Sequence, residues 1–351
     1  MSQFYRWLMT APNEPLVKTD GDLPQPGPGE VLIEVKGCGM CHTDLGFLYG
    51  GVRTAHELPL ALGHEISGTV VAVGAGSEAW ANQDVVVPAV LPCGECDLCH
   101  AGRETSCRAQ LMPGNDFHGG FASHILVPSR WLVDASGLPE DIALADVSVL
   151  ADAVTTPYQA MKRAQVVEGD HVVIIGAGGV GSFGIQIAKA FGARVVAVDI
   201  DDDKLARALE YGAEGVVNTL GMDGKESRAA VRAKNKELGF SKVGLKVLEM
   251  SGTASGQELA WSLMTFSGVV GFVGFTLDRV SVRLSNLMAF DADAFGNWGC
   301  RPQYYAPALD LIREGKVLVK PFVKRFPMNE INDVLEDARH HRITQRPVLV
   351  P

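Results

Sequence analysis

The stretch "HVVIIGAGGVGSFGIQIAKAFGARVVAVDID", residues 171–201, decides the fold. It opens with an apolar run, continues with the spacing of an amphipathic helix, and ends with a second apolar run, "RVVAVD". A buried strand, a helix and another buried strand predict a βαβ unit with parallel strands. The alternation continues through the helical "DDKLARALEYGA" and the apolar "KVLEMSG" and "GVVGFVGF". We therefore predict an α/β fold with a doubly wound parallel sheet in residues 155–295.

The glycine-rich turn inside this stretch has the pattern of a dinucleotide site. "GAGGVG", residues 176–181, fits G-x-G-x-x-G through Gly176, Gly178 and Gly181. Gly176 permits a tight turn, Gly178 lets backbone N–H groups approach a pyrophosphate, and the helix N-terminus favours negative charge. Glycines in such turns also serve packing alone, but the flanking strand and helix favour a cofactor site, which Gly179 and Val180 complete.

Asp199 ends the second strand of the unit. A carboxylate there accepts hydrogen bonds from the adenosine ribose hydroxyls and repels a 2′-phosphate, so we predict NAD rather than NADP. The alternative is a solvated carboxylate at a strand end, like those of Asp201 to Asp203.

The region before the parallel sheet has a different pattern of apolar residues. Short apolar runs broken by Gly and Pro, such as "VLIEVKG", "EISGTVVAVG", "DVVVPAVLP" and "FASHILVP", indicate an all-β domain. We predict this domain in residues 1–154 and the nucleotide-binding domain in 155–295. Residues 296–351, which end in the strand-like "RPVLVP", then return to the first domain.

Composition limits the classes of function. The 351 residues are 47% hydrophobic with a net charge of −10, which is typical of a globular protein and argues against general nucleic-acid or membrane-surface binding. The N-terminus lacks the apolar core of a signal peptide, and no apolar run approaches the roughly 18 residues of a membrane span. We expect a cytoplasmic protein without nucleic-acid or membrane partners. Its seven cysteines then favour metal ligands or free thiols over disulfides.

Four of the cysteines lie within "CGECDLCHAGRETSC". Cys93, Cys96, Cys99 and Cys107 can close a tetrahedron around Zn²⁺ without help from distant chain, which predicts a structural zinc site. An iron–sulfur cluster and unligated thiols are the alternatives. A nucleic-acid-binding zinc module is disfavoured because the segment carries more acidic than basic residues.

Two further motifs complete a recognisable set. "GCGMCHTDLG" at 37–46 and "GHEISG" at 63–68 precede the four-cysteine lobe and the glycine-rich turn. In this order, and over the whole chain, the motifs resemble the zinc-dependent medium-chain alcohol dehydrogenases. The resemblance implies a GroES-like β-rich catalytic domain, a Rossmann NAD-binding domain, two zinc ions per chain, a small-molecule alcohol substrate and a homodimer or homotetramer.

The resemblance also implies a catalytic zinc site. Cys41 and His64 match two of its ligands, and Asp152 in "LADAVTTPYQA" stands where many relatives have Cys. A carboxylate is a legitimate zinc ligand and, with the Cys41 thiolate, neutralises the ion. His56, Glu65 and His118 are the competing ligands, and Asp152 could instead cap a helix. Cys38 is expected to be a buried apolar strand residue.

Catalytic roles follow from the same resemblance. Thr43 is expected to receive the proton of the alcohol, His42 to contact the cofactor pyrophosphate, Glu65 to stand behind the zinc, and Val273 to lie on the nicotinamide side. His42 has the alternative of a plain surface histidine. Many relatives have a proton-relay histidine where this chain has Gly46, so the relay is shortened.

Finer similarity concerns the substrate. "LYGGVRTAHELPLALGHE" and "DAFGNWGCRPQYYAPALDLIREGKV" resemble family members that oxidise a ring secondary alcohol joined to a coenzyme A thioester. Arg53 and Arg301 are the predicted phosphate contacts, unless they are solvated charges. The alternatives are a broad-range secondary alcohol dehydrogenase, a zinc-free quinone-reductase-like relative, and a non-catalytic member that binds NAD and zinc.

Overall fold

The computed structural model describes residues 4–351, in which sixteen strands and ten α-helices are present. No helix in this range is both long and apolar enough to cross a membrane. The strands are β1 Tyr5–Met9, β2 Val17–Asp20, β3 Glu30–Gly39, β4 Leu60–Ala61, β5 Glu65–Val73, β6 Asp84–Val87, β7 His124–Pro128, β8 Val133–Asp134, β9 His171–Ile175, β10 Arg194–Asp199, β11 Gly215–Asn218, β12 Lys246–Glu249, β13 Val269–Phe272, β14 Asp293–Gly296, β15 Val323–Pro327 and β16 Arg346–Val350. The α-helices are α1 His42–Leu48, α2 Asp97–His100, α3 Thr155–Arg163, α4 Gly181–Ala190, α5 Asp202–Tyr211, α6 Gly224–Glu237, α7 Ala254–Ser262, α8 Ser285–Phe290, α9 Tyr305–Arg313 and α10 Ile331–Arg339.

The described chain divides into two compact units. The first comprises residues 4–155, 299–313 and 318–351, and the second comprises residues 156–298 and 314–317. We call them the β-rich unit and the nucleotide unit. The sequence analysis predicts domain boundaries at residues 154 and 295. A division into compact units does not show where independently folding domains end, so these boundaries stay predictions.

The β-rich unit is built around strand β3. Its residues alternate between the two faces of the sheet and are mostly buried, and β5, β7 and β16 all pair with it in antiparallel register. The large sheet has the order β15-β16-β3-β5-β6-β8, and a smaller sheet has the order β2-β1-β4. The C-terminal strand therefore belongs to the sheet formed by the first part of the chain.

The core of this unit is aliphatic. Val31, Ile33, Ile66, Phe121 and Leu349 are among its fully or almost fully buried members. Each such side chain contributes about 1.5–3 kcal/mol when it is removed from water. The same strands carry the residues of the candidate site at their ends, so the core fixes those positions.

The nucleotide unit is a doubly wound sheet, as predicted. Its six strands are all parallel in the order β11-β10-β9-β12-β13-β14. Numbered from β9, this is the 3-2-1-4-5-6 order of dinucleotide-binding folds, which places the switch point between β9 and β12. The prediction missed β11 and β14, which have four residues each and little apolar periodicity.

Candidate functional site

The four-cysteine lobe brings its sulfurs together. The Sγ–Sγ distances are 3.5 Å for Cys96–Cys99 and Cys107–Cys93, 3.8 Å for Cys96–Cys107 and 3.9 Å for Cys93–Cys99. Zinc–sulfur bonds of about 2.3 Å in a tetrahedron separate sulfurs by about 3.8 Å. The lobe therefore fits the predicted structural zinc ion, and neighbouring His100 lies outside this group.

Hydrogen bonds from the backbone favour the charged thiolate form of one of these sulfurs. The N–H of Glu95 donates to Cys93 Sγ at 3.4 Å, and such bonds lower the pKa of Cys93 to about 6. Burial acts in the opposite direction on Cys99 and raises its pKa to about 12. Thiolates are the form that binds metal ions. The Cys93 end of the lobe is therefore predisposed to ligation before any ion adds its own charge.

A second group of potential metal ligands lies at the ends of strands and helices in the β-rich unit. Cys41 immediately precedes α1, His64 precedes β5, Glu65 begins β5, and Asp152 follows the 3-10 helix Leu144–Ala151. One ligand atom from each of the four lies within 4.8 Å of the others. The sequence-predicted ligands Cys41, His64 and Asp152 are thus brought together from three distant segments.

The spacing of this group fits a tetrahedral ion. Asp152 Oδ2 lies 3.7 Å from both Cys41 Sγ and His64 Nε2. Tetrahedral zinc with mixed sulfur, nitrogen and oxygen ligands separates neighbouring donors by roughly 3.3–3.8 Å. Among the three predicted ligands, Cys41 supplies one thiolate and Asp152 one carboxylate, and these two anions together balance a divalent charge.

Asp44 lies behind two of the three predicted ligands, Cys41 and His64, and accepts hydrogen bonds from the backbone at or next to each of them. Its Oδ2 accepts the Cys41 N–H at 2.9 Å, and its Oδ1 accepts the Gly63 N–H at 3.0 Å. His64 Nδ1 is buried without a hydrogen bond and faces Asp44 Oδ1 at 3.5 Å, while Nε2 faces Asp152. A carboxylate behind the far nitrogen of a metal-binding histidine is a common arrangement. Burial lowers the pKa of His64, but Asp44, Asp152 and Cys41 outweigh it and raise that pKa well above the ordinary value.

Glu65 is held by a residue that the sequence analysis missed. Arg346 Nε donates to Glu65 Oε2 at 2.8 Å, and Arg346 Nη2 donates to Oε1. The side chains are 7% and 0% exposed. A buried bidentate pair of this kind keeps both carboxylate oxygens engaged. Glu65 therefore belongs to the group of four but is tied to β16, and its catalytic role stays a prediction.

The other competitors for the metal lie outside the group. His56 and His118 face each other with ring centroids 5.6 Å apart, and burial lowers the pKa of His118 to about 4. Cys38 is a fully buried residue of β3, as predicted. Cys300 is also buried, and burial raises the pKa of its thiol well above the ordinary value. These residues do not join the two ligand groups found among residues 4–351.

The predicted proton-relay residues lie along α1. Thr43 Oγ1 is 3.7 Å from Cys41 Sγ, so its hydroxyl is beside the ligand group. His42 is exposed, and its ring stacks near that of His341 with centroids 6.3 Å apart. Gly46 lies in the same helix. Thr43 therefore lies beside the ligand group and His42 at the surface, and the predicted roles of both residues stay predictions.

The glycine-rich turn has the expected geometry. Gly176 has φ +91°, and a Cβ on Gly181 would meet the Gly176 carbonyl oxygen at 1.7 Å. These two positions therefore require glycine. A Cβ on Gly178 would meet nothing within 4 Å, so this side of the turn is open, and Gly179 and Val180 follow it at the start of α4. The backbone is accessible to a pyrophosphate at this point.

Asp199 is oriented by the backbone of the same turn. Its Oδ2 accepts the Ala177 N–H at 2.7 Å, and its Oδ1 accepts the N–H groups of Ile200 at 2.8 Å and Asp201 at 3.2 Å. Each carboxylate oxygen has two acceptor sites. The carboxylate is therefore fixed beside the turn and keeps capacity for a ribose hydroxyl, which disfavours the alternative of a merely solvated charge.

Val273 is held by a buried glutamate that the sequence analysis did not select. The Glu249 carbonyl accepts the N–H groups of Val273 at 2.9 Å and Gly274 at 3.0 Å. The Glu249 side chain accepts the Ser251 N–H at 2.7 Å, and burial raises its pKa. The only signal in the sequence was a carboxylate inside the apolar run "KVLEMSG".

The structure places one of the two predicted phosphate contacts in an ion pair. Arg301 Nε donates to Glu104 Oε2 at 2.8 Å, and Arg301 also lies over the Tyr304 ring. Arg301 is therefore ion-paired rather than merely solvated, and its role as a phosphate contact stays a prediction. Arg53 is exposed, in the segment between α1 and β4.

Comparison with known proteins agrees with this fold. Residues 27–139 match the alcohol dehydrogenase GroES-like domain, and residues 179–314 match the zinc-binding dehydrogenase family. An alcohol dehydrogenase of Geobacillus stearothermophilus is 31% identical over 338 residues, covering 96% of each chain. The D-arabinose 1-dehydrogenase (NADP(+)) of Saccharolobus solfataricus is 30% identical, covering 97% of this chain and 95% of that protein.

Solved structures agree as well. The acetophenone reductase of Geotrichum candidum, in complex with NAD, superposes with a TM-score of 0.84 at 29% identity, covering 99% of this chain and 97% of that one. Fold and ligand groups thus define a zinc-binding dehydrogenase. The chain belongs to the zinc-dependent medium-chain alcohol dehydrogenase family. This confirms the predicted family, its GroES-like and Rossmann-type fold, and its oxidoreductase class.

Proposed function

We propose that the protein oxidises a secondary alcohol to a ketone with NAD⁺, releasing NADH and a proton. One observation carries this proposal: Cys41, His64 and Asp152 present a thiol, an imidazole and a carboxyl within 4.8 Å of one another in a buried site. Three protein ligands that leave a fourth position open are typical of catalytic zinc.

The residues of the chain have distinct tasks in this reaction. Cys41, His64 and Asp152 hold the ion, and Asp44 orients the first two through hydrogen bonds to the backbone. When bound, zinc polarises the substrate oxygen and lowers the pKa of the alcohol. Thr43, whose hydroxyl is 3.7 Å from Cys41 Sγ, would accept the proton of the alcohol while passing its own proton to the nicotinamide ribose. The four-cysteine lobe holds a second, structural zinc ion.

NAD is the proposed hydride acceptor. Gly176 to Gly181 provide the turn for the pyrophosphate, Asp199 accepts the ribose hydroxyls, and Val273 contacts the nicotinamide. The NAD complex of the related acetophenone reductase supports this choice. The related D-arabinose 1-dehydrogenase is named as an NADP(+) enzyme, so family membership alone does not decide between the two cofactors.

For the substrate we propose a ring alcohol carried on coenzyme A. The segments at 48–65 and 293–317, with Asp152 and Gly46, resemble bacterial 6-hydroxycyclohex-1-ene-1-carbonyl-CoA dehydrogenase, an enzyme of anaerobic aromatic degradation. The reaction would oxidise the ring hydroxyl to the 6-oxo product while the coenzyme A arm adds binding energy remote from the reacting carbon. We further propose a cytoplasmic homodimer or homotetramer, which light scattering of the purified protein tests.

The substrate proposal predicts a large preference for the thioester. A cyclic hydroxyacyl-CoA should exceed cyclohexanol in kcat/KM by at least about a hundredfold, because remote binding energy is available only to the thioester. NADH formation at 340 nm measures both reactions. Changing exposed Arg53 to Ala should raise KM for the thioester by about two- to fivefold and leave cyclohexanol unaffected.

Exposed Arg108 provides a matched control, because Arg108→Ala removes the same charge at a position with no proposed substrate contact. Equal kcat/KM for cyclohexanol and the thioester would reject coenzyme A and leave a broad-range secondary alcohol dehydrogenase. A thioester preference that Arg53→Ala does not alter would reject only the assignment of Arg53.

Gly46 predicts a limited rate of proton release. Its Cβ position is 3.7 Å from Val52 Cγ2, an ordinary contact, so a larger side chain fits there. Changing Gly46 to His should raise kcat/KM by up to roughly tenfold near pH 6.5, and less near pH 9, because neutral imidazole replaces scarce hydroxide as proton acceptor. Gly46→Asn, which adds similar bulk without a titrating group, should show no gain. Identical pH profiles for the two variants would mean that another route already carries the proton.

A further inference from the structure

Tyr305 is a buried tyrosine whose hydroxyl reaches the segment of the proposed ligand Asp152. It begins α9 and is 1% exposed, and its OH donates to the Ala151 carbonyl at 2.9 Å. A phenyl ring would fill the same core volume. The hydroxyl is therefore not explained by apolar packing, and it donates to the peptide group immediately before Asp152.

The Ala151 carbonyl accepts hydrogen bonds from three parts of the chain. It ends the 3-10 helix Leu144–Ala151, where helix carbonyls lose their partners within the helix. Besides Tyr305, it accepts the Ala89 N–H and the Thr155 hydroxyl, each at 3.3 Å. The residue is fully buried, so these donors replace water. Together they fix the plane of the peptide that joins Ala151 to Asp152.

This peptide matters because the backbone around Asp152 is irregular. Asp152 has φ −142° and ψ −59°, outside both helix and strand. Cys41 and His64 are instead adjoined by regular elements, α1 and β5, and share the Asp44 carboxylate. The direction of the Asp152 side chain therefore depends on how firmly the preceding peptide is held.

We propose that Tyr305 is a positioning residue that orients Asp152 for metal binding through the Ala151 carbonyl. The proposal rests on the assignment of Asp152 as a ligand. Groups that orient metal ligands without touching the ion commonly change metal affinity by 10- to 100-fold when they are removed. Tyr305 would orient Asp152, as Asp44 orients Cys41 and His64.

The test is Tyr305→Phe in the full-length protein loaded with two zinc ions. Zinc released to a chromogenic chelator should resolve two phases, because the four-cysteine lobe and the Asp152 group are separate sites. The Asp152-group ion should leave about tenfold faster, while the lobe ion serves as an internal control and leaves at the wild-type rate. Cobalt substituted at the Asp152 group should show a shifted visible spectrum. The expected kinetic change is a lower kcat with KM for NAD unchanged.

Tyr304→Phe is the matched control, since it removes the same hydroxyl one residue earlier and should alter neither phase. Thr155→Val, which removes a second donor to the Ala151 carbonyl, should act in the same direction and remains available if Tyr305→Phe folds poorly. Wild-type zinc release from both Tyr305→Phe and Thr155→Val would overturn the proposal. If Asp152→Ala itself retains the second ion, the ligand assignment fails instead, so the two failures are distinguishable.

Discussion

Replacing Asp152 with alanine should remove one of two zinc ions and leave the other in place. The variant loses one of three ligands from a group whose donors lie about one tetrahedral edge apart, at 3.7 Å. Metal analysis of the purified protein should fall from two zinc ions per chain to one. The value of kcat/KM should fall by at least about a thousandfold, because the lost ion supplies several kcal/mol of transition-state stabilisation.

Two further variants separate ligation from general damage. Asp152→Cys should retain both ions, because thiolate is an established zinc ligand. Cys107→Ser should lose the lobe ion instead, because it removes one of four sulfurs. Asp152→Ala protein that still contains two zinc ions would reject Asp152 as a ligand.

Glu65 is the residue best placed to replace Asp152 as a metal ligand, since its carboxylate belongs to the same group. Arg346 opposes that substitution because its guanidinium engages both carboxylate oxygens. Moving Glu65 onto the ion would leave a buried arginine without its partner, which is strongly unfavourable. The ion should therefore be lost from Asp152→Ala rather than retained by Glu65.

The features that the sequence predicted are those encoded by local spacing. Four cysteines within one short segment can bind an ion by themselves, and the structure brings their sulfurs within 4.8 Å of one another. The glycine-rich turn is equally local, because the required glycines, Gly176 and Gly181, lie in one βα connection. Cys41, His64 and Asp152 come from separate segments, and here resemblance to a family supplied what spacing could not.

The features that the sequence did not predict depend on contacts between distant residues. Arg346 is 281 positions from Glu65, and Tyr305 is 154 positions from Ala151. No periodicity or motif connects such residues, because their meeting is decided by the pairing of β16 with β3 and by the packing of α9. Arg301 illustrates the same limit: its sequence context fits a phosphate contact, but the fold places Glu104 beside it.

Asp199 should determine the choice of cofactor. We expect the wild-type protein to prefer NAD over NADP by at least about a hundredfold in kcat/KM, because the carboxylate would face the 2′-phosphate of NADP at close range. Changing Asp199 to Ser should narrow this preference by about tenfold or more, since the repulsion between like charges is removed. Steady-state kinetics with both cofactors at saturating alcohol measure the ratio.

The ratio is the informative quantity because Asp199 also holds the backbone. Its carboxylate accepts N–H groups from Ala177, Ile200 and Asp201, so removing it loosens the turn for NAD and NADP alike. That loss lowers both kcat/KM values and cancels in their ratio, whereas the loss of charge favours NADP alone. Asp199→Asn, which keeps one acceptor oxygen, should narrow the preference with a smaller loss of NAD activity than Asp199→Ser. Asp203→Asn removes an exposed charge nearby and should leave the ratio unchanged. Equal kcat/KM for the two cofactors in the wild-type protein would show that Asp199 does not discriminate between them, however well its carboxylate is held.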